Sequence, residues 1–291
     1  MPIIRVLAPA KINVFLRIIG CRPDGYHLLN SLMIPINLCD EIRIEADQRR
    51  SEGESQLVLT CDDPAIPTDE TNLVHQAATL LLRKAGVHTA VAIHLRKRIP
   101  VGAGLGGGSS NAAITLKGLN TLLELGFSDD HLCQFGARLG ADVPFFLPCR
   151  PAYIEGVGEI LTPLPSFPHR WLVLVAPPFG VSTPWAYREF DKLPPLRVQT
   201  PPGKLPPCQW PSSELLVNDL ERAVFPTYPQ IAAIKTALLH YAAEGALMSG
   251  SGSSVFGIFR DRVLAERAAA MLGHHGKTFL VEPLLGPPSL S

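Results

Sequence analysis

The chain has 291 residues, 46% of them apolar, which is enough for one large core or two modest ones, and the length favours two lobes. Lys plus Arg and Asp plus Glu stand at 26 each, so no global field draws the protein to nucleic acid or to an anionic membrane, and small-molecule partners are expected. Six scattered cysteines without C-x-x-C or zinc spacing, Arg5 and Lys11 interrupting the apolar start, and no run near about twenty apolar residues together predict a soluble cytoplasmic enzyme with reduced thiols and no zinc site.

In chain order, residues 3–7, 12–19, 29–38, 42–46 and 56–61 are short, β-rich and separated by turn residues, and are predicted as strands. A helix is predicted over 72–85, with Thr71 and Asn72 available as caps and Gly86 as its stop. Residues 89–96 alternate apolar with polar and lead into a glycine-rich stretch. Beyond it Ala112, Leu116, Leu119 and Leu123 fall on one helical stripe. A further helix starts at Ser128, with Asp129 and Asp130 suiting its first turn, and ends near Gly140. Between 162 and 211 the doublets Pro177-Pro178, Pro194-Pro195, Pro201-Pro202 and Pro206-Pro207 rule out helix interiors and central strands. That belt is mostly connection, enclosing a strand at 171–176 and a short helix at 184–190. The remainder reads as helix 231–243, strand 254–259, helix 262–272 and strand 278–281, a small sheet with helices on one face.

The glycine-rich stretch comprises Pro100, Val101, Gly102, Ala103, Gly104, Leu105, Gly106, Gly107, Gly108, Ser109 and Ser110. Three consecutive glycines and two hydroxyl residues at a helix start leave backbone amides bare to grip phosphate oxygens at the positive end of the helix dipole. A P-loop of the form G-x-x-x-x-G-K-[ST] is excluded, because Gly108 stands where the lysine is needed. A dinucleotide fingerprint on Gly102, Gly104 and Gly107 fits poorly, since Pro100 interrupts the lead-in and Glu124 falls on an amphipathic helix. A ligand-free glycine turn is the remaining rival.

The stretch resembles the central ATP-binding motif of the GHMP kinases, the small-molecule kinases that include galactokinase, homoserine kinase, mevalonate kinase and phosphomevalonate kinase. Ala8-Pro9-Ala10-Lys11-Ile12-Asn13 is similar to the first motif of that family, and residues 247–254 to its third. Residues 22–27 and 140–146 narrow the resemblance to the branch that phosphorylates a cytidine diphosphate-linked methylerythritol in the non-mevalonate isoprenoid pathway. The resemblance implies an α+β, two-lobed GHMP kinase fold, with a ribosomal protein S5 domain 2-like lobe over 1–160 and a ferredoxin-like lobe over 161–291. It also implies ATP with Mg2+, and direct in-line transfer to the 2-hydroxyl of the acceptor. Oligomeric state stays open.

Phosphoryl transfer to an alcohol needs a held triphosphate, stabilisation of developing charge and a group to take the hydroxyl proton. Asp142, between a helix end and Pro144, reads by itself as a turn or cap residue; its match to the family's catalytic aspartate makes it the base. Lys11 by itself would extend to water from a strand end, and by resemblance it is the partner of Asp142. Ser109 or Ser110 offers Mg2+ a hydroxyl, or both cap the helix; the metal is expected to be held largely by nucleotide and water. After the tight turn at Pro23-Asp24-Gly25, Tyr26 and His27 contact the cytosine by resemblance, and a buried Tyr–His pair fixing a hairpin is the rival. Tyr187 matches an aromatic position over the opposite face of the base, and Thr183 lies nearby; core or lid packing is the alternative for both. Asn13 orients substrate or fills a turn role, and Asn218-Asp219 introduces a helix. Sibling kinases acting on mevalonate, homoserine or a sugar are disfavoured because those acceptors carry no base for Tyr26 and His27. A catalytically silent nucleotide-binding module is disfavoured by the presence of both Lys11 and Asp142.

Overall fold

The computed structural model describes residues 2–47, 56–194, 210 and 215–288. The doublets Pro201-Pro202 and Pro206-Pro207, and with them Pro195 and Cys208, lie outside the described residues. Where four short strands are expected near the start, two long ones form: β1 (Ile3–Cys21) and β2 (His27–Ala46), paired antiparallel. The breaks in the sequence pattern are absorbed as irregularities in the ladder, between Pro9 and Ala10, between Asn13 and Phe15, and between Ile18 and Gly20. A bulge bends a strand without ending it: opposite Pro9 and Ala10 the extra residues, Asn37 and Leu38, lie on β2, and β1 continues through Pro9. The predicted turn closes the hairpin, with Gly25 N donating to Arg22 O at 2.9 Å.

Besides β1, β2 pairs with β4 (Ala90–Arg96) through Glu41–Ala46 and with β5 (Ala152–Gly156) through Leu29–Met33. β3 (Gln56–Cys61) lies parallel to β4, and β6 (Ile160–Pro163) pairs with β5, giving the order β3-β4-β2-β5-β6 with β1 beside β2. The expected lobe division after residue 160 falls inside β6. Helices α1 (Leu73–Ala85), α2 (Gly107–Leu122), α3 (Asp129–Leu139) and α4 (Val143–Phe146) complete this lobe. Ile42, Ile44 and Ile93 of the sheet share a core with Leu81, Leu116, Leu119 and Phe146 of the helices. Local signals place the ends: Asn72 accepts from Val74 N, Gly86 closes α1 in the left-handed region, and Ser128 accepts from His131 N.

The second sheet contains β7 (Trp171–Ala176), β8 (Gly245–Met248), β9 (Val255–Phe259) and β10 (Lys277–Val281), all antiparallel in the order β10-β7-β9-β8. Between β7 and β8 run α5 (Thr183–Asp191), α6 (Glu221–Val224) and α7 (Pro229–His240), and α8 (Arg262–Leu272) links β9 to β10. A β-α-β-β-α-β chain in that strand order is the ferredoxin-like arrangement. Val173, Val175 and Val255 face Ile231, Ile234, Leu238 and Ala265 of α7 and α8. On the opposite face Leu172, Leu174, Phe256 and Ile258 pack against Ile12, Val14, Ile34 and Ile36 of β1 and β2. Burying one such side chain is worth about 1.5–3 kcal/mol. The shared layer therefore fixes the second lobe on the first and leaves a cleft along β1.

Candidate active site

The middle of β1 is buried from Ala8 to Leu16, so its outer edge cannot leave backbone groups unpaired. Lys11 N donates to Leu105 O at 2.9 Å, which brings the glycine loop against the strand, and Leu16 N donates to Val217 O at 2.8 Å. Lys11 is consequently only 4% exposed. Its Nζ donates to Asn13 Oδ1 at 2.6 Å and lies 3.9 Å from Asp142 Oδ2. Asn13 Nδ2 donates to Ser31 Oγ at 2.9 Å, and Ser31 in turn donates to Phe15 O at 2.6 Å, so the amide oxygen of Asn13 is held towards the ammonium. Burial lowers the pKa of Lys11, and the carboxylate of Asp142 opposes that shift. Asp142 precedes α4 yet makes no capping hydrogen bond, and its side chain is 39% exposed. Its carboxylate faces the cleft instead of serving the helix.

The loop and helix α2 meet differently from the sequence expectation. Gly106 caps the helix at φ +68°, so α2 begins at Gly107 and both serines sit in its first turn, neither of them a cap. Ser110 N donates to Gly106 O at 2.9 Å, which opens the ladder and leaves the preceding amides directed out of the helix end. Ser109 lines the cleft together with the whole run from Pro100 to Gly108. Ser110 is fully buried, and its Oγ has no hydrogen-bond partner. From the second lobe Ser249 Oγ donates to Gly104 O at 3.0 Å, Ser254 N to Ala103 O at 3.2 Å and Val181 N to Gly102 O at 3.0 Å. The third motif thus closes on the first lobe's loop through one side-chain and one backbone hydrogen bond.

The cleft has a volume of about 920 Å³, and Lys11, Asn13, Asp142, Tyr26, His27, Thr183 and Tyr187 all line it. Tyr26 is 64% exposed, so no buried Tyr–His pair forms. His27 stacks on Tyr187 instead, with ring centroids 4.8 Å apart, and its Nε2 lies 2.6 Å from Asp191 Oδ1. Burial, reinforced by the charge of Asp142, pushes the Tyr187 hydroxyl above its ordinary pKa. Thr183 Oγ1 shares a 2.8 Å hydrogen bond with Ser251 Oγ. Every residue expected at the site except Ser110 reaches one continuous surface.

Residues 72–149 match the family described as GHMP kinases N terminal domain, and residues 211–278 match GHMP kinases C terminal. The chain is 44% identical over 272 residues to the 4-diphosphocytidyl-2-C-methyl-D-erythritol kinase of Citrifermentans bemidjiense, covering 92% of this chain and 93% of that protein. It is 46% identical over 278 residues to the protein of the same name from Methylacidiphilum infernorum, covering 93% of each. The chain belongs to the 4-diphosphocytidyl-2-C-methyl-D-erythritol kinase branch of the GHMP kinases. A crystal structure of 4-(cytidine 5'-diphospho)-2C-methyl-D-erythritol kinase superposes with a TM-score of 0.77 at 36% identity, covering 98% of this chain and 100% of that one. Homoserine kinase from Cytophaga hutchinsonii gives a TM-score of 0.74 at 19% identity, covering 100% and 97%, and shares the fold. This GHMP kinase is a phosphotransferase acting on an alcohol group, and among its described residues no helix is long and apolar enough to cross a membrane.

Two networks in the kinase went unread in the sequence. Asp40, wholly buried between the two halves of β2, accepts from Lys97 Nζ, from Arg98 N at 2.7 Å, from Ile99 N at 2.9 Å and from Asn111 Nδ2 at 2.9 Å. One carboxylate therefore anchors both the approach to the glycine loop and the first turns of α2, and holds Lys97 at the cleft wall. Its only sequence signal is an acidic residue between two apolar runs, which reads as a turn. Asn218 enters the α6 turn by accepting from Leu220 N, as expected, and also donates to Met248 O at 2.8 Å and Gly250 O at 2.7 Å. Asp219 accepts from Ile18 N at 2.8 Å, so this dipeptide ties β1 to the third motif.

Proposed function

We propose that this GHMP kinase transfers the γ-phosphoryl group of ATP to the 2-hydroxyl of 4-diphosphocytidyl-2-C-methyl-D-erythritol, in the non-mevalonate route to isoprenoid precursors, by direct in-line attack without a phosphoenzyme. The observation that carries the reading is the pairing of Lys11 and Asp142 on a cleft shared by the N-terminus of α2 and by Tyr26 and His27. The bare amides of the glycine loop and the helix dipole hold the triphosphate. Asp142 takes the hydroxyl proton, and the Lys11 ammonium stabilises the incipient alkoxide. Asn13 holds Lys11 in place, while Tyr26, His27, Thr183 and Tyr187 seat the acceptor. In this reading lobe 1–160 supplies the catalytic pair and lobe 161–291 closes the site with the 249–254 loop.

Mg2+ fits as an ion held chiefly by the nucleotide. Among the described residues no group of three or more His, Cys, Asp or Glu side chains converges, and Ser109 and Asp142 are oxygen donors at the cleft. When bound, it neutralises β- and γ-phosphate charge.

ADP release measured with the cytidine diphosphate-linked acceptor, mevalonate and homoserine tests the reading; preference for a non-nucleotide alcohol ends it. The lowered pKa of Lys11 gives a signed expectation. Activity needs the ammonium, so kcat/KM falls as pH rises through the Lys11 pKa, at a pH below the ordinary lysine value of 10.5. Lys11→Arg stays charged throughout, so the alkaline limb disappears from its residual activity. A limb that persists unchanged in this variant assigns the titration to another group.

A further inference from the structure

We infer that Asp191 is a positioning residue for acceptor selection: by accepting the Nε2–H of His27 it holds the imidazole in the tautomer whose Nδ1 is a bare acceptor. The site then takes a pyrimidine bearing an amino group and refuses one bearing a carbonyl in that place. The inference rests on the proposed function and adds the means by which the base is chosen.

A carboxylate accepts hydrogen bonds and donates none. With Asp191 Oδ1 2.6 Å from His27 Nε2, the proton of a neutral imidazole sits on Nε2 and the lone pair on Nδ1. The ring has little freedom to turn, since the His27 side chain is 11% exposed. Tyr187 stacks on its face at 4.8 Å with planes 29° apart, and Phe190 meets it edge-on at 6.3 Å and 82°. Tyr187, Phe190 and Asp191 all belong to α5, so one helix sets the ring's plane, edge and tautomer. Residues 187 and 191 are one turn apart, which brings the stacking ring and the carboxylate to the same side of the helix.

His27 and Asp191 both line the cleft. An acceptor nitrogen held at the cleft pairs with the exocyclic amine of cytosine, whereas the carbonyl of uracil leaves two acceptors facing each other unpaired. Sites built on such a hydrogen bond reject the mismatched analogue more strongly than sites built on shape.

The test compares kcat/KM for the cytidine acceptor and its uridine analogue. Wild type should prefer cytidine by about a hundredfold or more. In Asp191→Asn the amide offers either a donor or an acceptor to Nε2, so the preference should shrink by about tenfold or more, chiefly through a higher KM for the cytidine acceptor. Asp191→Glu, which keeps the carboxylate, should regain part of it. An unchanged cytidine-to-uridine ratio in Asp191→Asn overturns the inference, even if KM rises. A second measurement does not depend on turnover: long-range 1H–15N spectra of the unliganded, 15N-histidine-labelled protein should show His27 protonated on Nε2, and protonation on Nδ1 overturns the inference. Should wild type phosphorylate neither pyrimidine acceptor, the proposed function fails, while the spectrum still decides the tautomer.

Discussion

Asp142→Asn should lower kcat by about 10²–10⁴, equivalent to roughly 3–5 kcal/mol of barrier, while ATP binds as before. The amide matches the carboxylate in shape but does not take the proton of the attacking hydroxyl. A second loss acts through Lys11, whose pKa is lowered by burial and supported only in part by the charge of Asp142. Once that charge is gone, desolvation acts with less opposition, the ammonium is held less firmly, and the alkoxide loses part of its stabilising cation. Affinity for the nucleotide should persist because the loop is held by β1 and the 249–254 segment, none of which relies on Asp142. Single-turnover rates and calorimetric ATP affinity check both halves. Near-normal turnover would remove Asp142 from the mechanism.

Gly104→Ala should weaken ATP binding by at least about tenfold and lower the unfolding temperature by several degrees. An added Cβ at Gly104 would stand 2.0 Å from the Ser249 carbonyl oxygen and 3.0 Å from that of Gly252, at φ +75°. Both obstacles are backbone, so no side-chain rotation relieves them. The loops must separate, which breaks the bonds from Ser249 Oγ to Gly104 O and from Ser254 N to Ala103 O. The left-handed backbone alone costs an L residue about 1–2 kcal/mol. Gly86→Ala isolates that part, since Gly86 has φ +61° and open space around it. Thermal unfolding and nucleotide titration of the two variants should diverge, with ATP affinity changed only at Gly104. Equal effects would mean that the close approach of the two loops contributes nothing.

Legibility follows the range of the forces involved. The strand at Trp171–Ala176 and the helix at Arg262–Leu272 have the bounds expected from sequence, the strand being a continuous apolar run ended by prolines and the helix starting after Asp261, which accepts from Leu264 N. The strands β5, β6 and β8 carry no clear signal in the sequence. They have only four or five residues each, and their burial depends on partners that no local pattern announces. The two long strands read as four in the sequence because Pro9 breaks the alternation of the first and the acidic pair Asp40-Glu41 that of the second, while the ladder continues across both. At the site, the motif residues were legible through resemblance, whereas Asp40 was not, because the acidic pair Asp40-Glu41 between apolar runs is ordinary turn chemistry.

By itself the sequence determined the local chemistry: a glycine-rich helix start able to hold phosphate, helix caps at Asn72 and Ser128, a lysine and an aspartate with the right groups for proton transfer, and a balanced charge suited to small-molecule partners. These depend on neighbours within a turn or two of the chain. Only the tertiary structure decided that Lys11 meets Asp142, that Ser249 closes on Gly104, that Ser110 is withdrawn from the cleft, and that Asp191 comes to rest on His27. Each of these arrangements joins segments far apart in the chain, or follows from how they pack, and such constraints arise only when distant segments come together.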